Sequence, residues 1–181
     1  PISTLNTTYE HMRPYPLDRE ILTIVGQALH YAKISNGAYD PSAGPAINLW
    51  GFGTKGKINT APASEVIKTL GRTIGYPNVQ INMDAGHITL VQAGMALNLG
   101  GIVKGYAIDR SSSILKDYGI SKALVSFGSS LRALGSPPGK AGWRISIQHP
   151  RQEAEEITSL LLNDEALSTS GDYERYFYAD G

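Results

Sequence analysis

The chain has 181 residues, 16 Lys plus Arg against 16 Asp plus Glu, a formal net charge of zero, 41% hydrophobic residues and no Cys. That length and balance fit one compact globular domain, or two small halves sharing a core, and argue against a disordered chain. It also excludes broad electrostatic binding of nucleic acid, which needs a basic stripe, along with disulfides, Cys-ligated zinc and thiol nucleophiles.

In chain order, Pro1 to Asn6 read as an abrupt entry into a folded chain, so an upstream segment is expected. Asp18 then precedes a helical pattern of Ile21, Leu22, Val25, Ala28, Leu29 and Ala32, stopped by Asn36-Gly37. Gly37 to Gly56 is the longest irregular segment and a candidate binding loop. A second helix is predicted over Ser64 to Ile74, with Val66, Ile67, Leu70 and Ile74 on one face. A hairpin follows, Val79 to Met83 and His87 to Val91 around Asp84-Ala85-Gly86. Met95 to Leu99 reads as a buried strand running into Gly100-Gly101. A third helix then turns Val103, Tyr106, Ala107, Ile114, Leu115 and Tyr118 inward and ends at Gly119. The remaining candidates are strands: Ala123 to Phe127, Leu131 to Leu134, Trp143 to His149, Ile157 to Leu162, Ala166 to Ser170 and Tyr173 to Tyr178. Hairpins outnumber strand-helix-strand units, which predicts α+β with largely antiparallel sheets packed with helices. No stretch approaches the roughly 18 apolar residues that a membrane-spanning helix requires.

Four segments could carry chemistry. Gly51-Phe52-Gly53-Thr54-Lys55-Gly56-Lys57 matches G-x-G-x-x-G and nearly a phosphate loop. It lacks the preceding strand, and Ile58 stands where Ser or Thr would hold Mg²⁺, so it reads as a Gly-rich turn. Leu97 to Gly105 places Gly100-Gly101 at the entrance to a helix, with Lys104 in its first turn. This is either a phosphate cradle or tight packing, and spacing leaves both open. Tyr39 beside Asp40 suits a flat ring with hydrogen-bond donors, or a core aromatic beside a turn cap. Leu167-Ser168-Thr169-Ser170 offers hydroxyls that either bind phosphate or cap a turn. His11, His30, His87 and His149 show no ligand spacing, and no G-x-S-x-G or H-E-x-x-H set is present.

Taken in order, the motifs resemble the ApbE family of flavin transferases across essentially the whole chain. Gly37-Ala38-Tyr39-Asp40-Pro41, Gly44-Pro45 and Asn48-Leu49-Trp50-Gly51-Phe52-Gly53 look like its first block. Leu99-Gly100-Gly101-Ile102-Val103-Lys104-Gly105-Tyr106-Ala107-Ile108-Asp109 looks like its D-L-G-G-I-x-K-G-Y-x-x-D block. Leu124 to Gly128 with Arg132 to Gly135, and Ser168-Thr169-Ser170-Gly171-Asp172-Tyr173, resemble two later ones. Ile2-Ser3-Thr4-Leu5-Asn6 is similar to the end of an S-x-[FL]-N element.

The resemblance implies a T-fold-like architecture and Mg²⁺-dependent cleavage of FAD. FMN is attached through a phosphoester to a Thr of a target flavoprotein, such as a subunit of a membrane redox pump, and AMP leaves. It places Ala38, Tyr39, Asp40, Asn98, Lys104, Leu167, Ser168 and Thr169 at the flavin or its phosphates. It makes the Gly101 main-chain carbonyl a metal ligand. It also implies a cell-envelope location: the periplasm or the outer face of a bacterial membrane, with a lipid anchor. The rivals are an FAD pyrophosphatase, in which water replaces Thr, and a flavin-binding module without catalysis. Asp40→Ala is expected to weaken FAD binding with the fold intact.

Three departures stand out. Asn98 replaces the usual Asp, and Ser129-Ser130 replace the common Gly-Gly or Gly-Asp, so that turn must accommodate a Cβ. The family's metal-binding D-x-x-x-T segment is not reached by Gly181, and no catalytic residue is assigned. A single domain over 1–181, cut at both ends, is therefore the expectation.

Overall fold

A computed structural model of the chain describes residues 1–8, 10–53, 60–152, 154–171 and 176. They fall into two compact units, Pro1–Ile102 and Val103–Tyr176.

The first unit is organised by helix α2, Arg19–Ile34, whose buried stripe is Leu22, Ile24, Val25, Ala28 and Ala32. This is the apolar period of the sequence converted into one core-facing side. The helix packs on an antiparallel sheet of β1 (Tyr15–Pro16), β2 (Val79–Asn82) and β3 (His87–Leu90), in the order β1-β3-β2. In β3, Ile88 and Leu90 point into the core and alternate with half-buried His87 and Thr89, the period of a sheet with one buried face. Helix α1, Ile2–Thr8, adds Leu5 to a cluster with Leu17, Leu22, Val25, Val79, Ile88, Leu90, Met95 and Leu97. The unit also holds two short α-helices, α3 (Gly44–Leu49) and α4 (Ser64–Gly71), and a 3-10 turn over Tyr76–Asn78.

Three expectations change here. The segment Gly37 to Gly56 is not wholly irregular, because Pro45 sits in the first turn of α3 and starts it without losing an internal hydrogen bond. The predicted helix from Ser64 ends at Gly71 rather than Ile74, and no residue of α4 is buried. Met95 to Leu99 is buried at Met95 and Leu97 but forms no strand. Its one ladder contact is a parallel bridge between Ala96 and Ala43. The other polar groups are met differently: Asn6 donates Nδ2–H to the Leu97 carbonyl and accepts the Leu97 N–H, each at 2.8 Å. One asparagine side chain thus performs the pairing of a neighbouring strand, satisfying a buried backbone that would otherwise be costly.

The second unit sets helix α5, Val103–Asp117, across β4 (Ala123–Phe127) and β5 (Ser130–Leu134). Strand β8, Ala166–Ser168, pairs with β5 to give the antiparallel order β4-β5-β8. A separate hairpin joins β6 (Trp143–Gln148) to β7 (Glu156–Leu162). The inward face of α5 differs from the predicted one. Ile108 and Ser112 are its buried residues, whereas Val103, Ile114 and Tyr118 are exposed, Tyr118 at 82%. The helix meets its sheet along a narrower stripe than its apolar residues would cover. The predicted strand over Tyr173 to Tyr178 lies outside the described residues except for Tyr176.

Among the described residues the paired strands are antiparallel, in line with the largely antiparallel sheets expected. Among the described residues, no helix is long and apolar enough to cross a membrane.

Candidate functional site

In the first unit, α2 unwinds through two left-handed residues, Asn36 (φ 52°) and Gly37 (φ 81°). The Gly37 N–H reaches back to the Ala32 carbonyl at 2.8 Å, a hydrogen-bonded helix end of the kind Asn-Gly favours. The chain then turns into Ala38, which is exposed, Tyr39 and Asp40. Ser35 Oγ accepts the Tyr39 N–H at 3.1 Å and fixes the exit.

Asp40 is the hub of the loop. Its Oδ1 accepts the Ser42 N–H (2.8 Å) and the Ser42 hydroxyl (2.7 Å), and its Oδ2 accepts the Tyr76 N–H (3.0 Å). Ser42, fully buried, also accepts the Gly75 N–H at 2.8 Å. The carboxylate therefore ties the Asp40–Ser42 turn to Gly75-Tyr76, 36 residues away. Sequence reasoning missed Ser42. The signal was a serine two positions after Asp in a turn, the spacing of an Asx turn.

Pro41 carries the next link, since its carbonyl accepts the Asn98 N–H at 2.8 Å. Asn98 Oδ1 in turn accepts the Gly100 N–H at 2.8 Å. A Cβ on Gly101 would lie 2.9 Å from Tyr39 Cε2, so Gly101 lets the chain pass against the edge of that ring. Thus Tyr39, Asp40, Asn98 and Gly101 converge in space although about 60 residues separate the two segments (roughly 3.8 Å per residue of chain). The Tyr39 hydroxyl oxygen is inaccessible to solvent and has no hydrogen-bond partner among the described residues. Burial, with the Asp40 charge second, raises the Tyr39 pKa above its ordinary 10.0.

That shift has a sign. The unfolded tyrosine ionises from about pH 10 and the folded one only above it, so the stability it contributes is complete below pH 10 and is lost as pH rises through the folded value. Tyr39→Phe is expected to remove this loss. Unfolding midpoints of the two proteins at pH 9 and pH 11 would check it, and an identical alkaline decline would contradict it.

In the second unit, Lys104 is the second residue of α5. A cation is disfavoured at a helix N-terminus by the macrodipole, so this placement concentrates positive potential rather than neutralising it. Lys104 Nζ donates to Ser129 Oγ at 3.0 Å. Ser168 lies opposite Ser130 in the β5–β8 ladder, with their hydroxyls 3.0 Å apart, and Leu167 pairs with Leu131 in the same ladder. Thr169 donates its N–H to the Ser129 carbonyl at 3.0 Å. Lys104, Ser168 and Thr169 are thus gathered around the β4–β5 turn. The Cβ of Ser129 is accommodated because Phe127 pairs with Ser130, leaving Gly128-Ser129 as a two-residue loop in which only Gly128 (φ 59°) is left-handed.

The metal expectation finds less support. Among the described residues no three His, Asp or Glu side chains cluster as a metal group. A single carbonyl at Gly101 is far from the six oxygens that Mg²⁺ takes. These residues do not build a Mg²⁺ site by themselves.

An α+β protein with mostly antiparallel sheets, an aromatic-carboxylate turn joined to an Asn-x-Gly-Gly segment, and a lysine held among hydroxyls is equipped to bind an aromatic group and an anion. The ApbE family profile matches residues 1–181, and the chain belongs to that family. An FAD:protein FMN transferase of Klebsiella pneumoniae is 30% identical over 172 residues, covering 93% of this chain and 49% of the relative. The crystal structure of the ApbE protein of Thermotoga maritima superposes with a TM-score of 0.86 at 32% identity, over 99% of this chain and 57% of that one. The flavinyl transferase ApbE of Pseudomonas stutzeri, in its apo form, gives 0.82 at 28% identity, over 98% and 56%. The chain thus spans about half the length of the curated relatives it matches.

Proposed function

We propose that the protein containing this chain is an FAD:protein FMN transferase. The hydroxyl oxygen of a Thr on a target flavoprotein attacks the FMN phosphorus of FAD and the diphosphate P–O bond breaks. AMP leaves, and the hydroxyl proton is lost to a base. Phosphoryl transfer of this kind asks for positioning and charge neutralisation more than for a protein nucleophile. The observation that carries the reading is the convergence of Tyr39, Asp40, Asn98 and Gly101 through the Asn98–Pro41 hydrogen bond in a chain matching the family over its whole length.

In this reading Tyr39 and Ala38 meet the isoalloxazine ring. Asp40 acts chiefly by holding their loop. Asn98 supplies an amide where the family has a carboxylate, adding donors and removing a charge. Lys104, Ser168 and Thr169 meet phosphate oxygens, with Leu167 beside them. Mg²⁺ dependence is carried over from the resemblance. Gly101 would contribute one carbonyl, and phosphate oxygens and water are the ordinary remaining ligands of that cation. The acceptor as a redox-pump subunit and a lipid-anchored, cell-envelope location rest on the resemblance alone.

Product analysis tests the activity. With FAD and Mg²⁺, a transferase releases AMP in proportion to the acceptor supplied. Release of AMP and FMN at the same rate without acceptor would identify a pyrophosphatase instead. No turnover, with FAD retained, would identify a binding module.

A further inference from the structure

Lys104 has four side-chain torsions and a strongly hydrated ammonium, so an unrestrained lysine at this position must be ordered each time it meets an anion. Here it is not unrestrained. Its Nζ donates to Ser129 Oγ at 3.0 Å. Ser129 is itself held on two sides. It closes the two-residue loop between paired Phe127 and Ser130. Its carbonyl also accepts the Thr169 N–H at 3.0 Å and the Thr169 hydroxyl at 3.4 Å. An ammonium has three donors and a serine hydroxyl has one, so this contact uses one N–H and leaves two on Lys104 and the O–H on Ser129. Among the described residues neither the Lys104 ammonium nor the Ser129 hydroxyl has another hydrogen-bond partner. The loop therefore presents a pre-oriented cation with donors to spare.

We propose that Ser129 is a positioning residue that fixes the Lys104 ammonium for the diphosphate of FAD. The inference rests on the reading of Lys104 as a flavin-site residue. It concerns a serine that stands where both forms of the family pattern, Gly-Gly and Gly-Asp, place a glycine. Glycine has no side chain to hold the lysine, whereas serine orients it and leaves the charge available. Pre-organisation of this kind improves affinity by cutting the ordering cost rather than by adding a contact.

A double-mutant cycle on FAD affinity, read by flavin fluorescence, tests it. Ser129→Ala is expected to weaken FAD binding about three- to tenfold, the range of one side chain's ordering cost. Ser129→Thr, which keeps the hydroxyl, should restore affinity. In a Lys104→Met background Ser129→Ala should have no further effect, because a residue acting through another is silent once that other is gone. An equal loss in both backgrounds, or no loss in either, would overturn the proposal. If Lys104→Met alone leaves FAD affinity unchanged, the reading of Lys104 itself fails. Thermal midpoints of all variants separate these outcomes from misfolding.

Discussion

Replacing Gly44 with Ala is expected to lower stability by about 3 kcal/mol, the upper range for overpacking a close-packed interior. A Cβ there would lie 2.6 Å from the Ala96 carbonyl oxygen, 3.0 Å from its carbon and 3.2 Å from the Leu97 carbonyl carbon. All three are backbone atoms, so no rotamer change relieves the contact. The chain must separate where Ala43 bridges Ala96, and the strain falls on the Asn6–Leu97 and Asn98–Pro41 hydrogen bonds. Those bonds place Asn98 and Gly101, so FAD affinity should fall together with the unfolding midpoint in urea. Gly71→Ala is the control. A Cβ there meets nothing within 4 Å at the end of α4, so stability should hold or rise by a few tenths of a kcal/mol. A Gly44→Ala protein as stable as the parent would refute the close approach.

Asp40→Ala is the second large effect, and it differs from the sequence expectation. Read as a ligand contact alone, Asp40 could be removed with the fold intact. The structure shows three donors on its two oxygens: the Ser42 N–H, the Ser42 hydroxyl and the Tyr76 N–H. Hydrogen bonds to a charged acceptor contribute more than neutral ones, and leaving their donors unpaired costs about 1–3 kcal/mol each in a buried setting. Solvent reaches part of this half-buried loop, so a total near 2–4 kcal/mol is expected. FAD binding should be lost with it, because Tyr39 and Ala38 ride on the same turn. Asp40→Asn should be milder: it keeps one acceptor for Ser42 and sets an NH₂ against the Tyr76 N–H. Urea denaturation of both variants, beside FAD titration, checks this. An unchanged midpoint for Asp40→Ala would show that the loop is held by other means.

What was legible in the sequence follows the length scale of each interaction. The α2 stripe and the β2–β3 hairpin are local patterns, and both formed where the spacing put them. The path of Met95 to Leu99 was not legible as extended chain without a strand, because its partner is one side chain 91 residues earlier. The outward turn of Val103, Ile114 and Tyr118 was equally hidden, since the helix period alone cannot say how wide a surface the sheet offers. The candidate site residues come from ordered motifs, not from periodicity. The residues that hold them are Ser42, Asn6 and Ser129. They act by hydrogen bonds between distant segments; Asn6 drew notice beforehand as the end of an S-x-[FL]-N element and Ser129 as a departure from a glycine, neither for the contact it makes.

The most direct test of the account is the intact mass of an acceptor flavoprotein after incubation with the full-length protein, FAD and Mg²⁺. The account predicts that the acceptor gains one FMN through a phosphoester on a Thr, with one AMP released per adduct, and that an acceptor lacking that Thr gains none. An acceptor of unchanged mass in a mixture that has accumulated free FMN and AMP would contradict it.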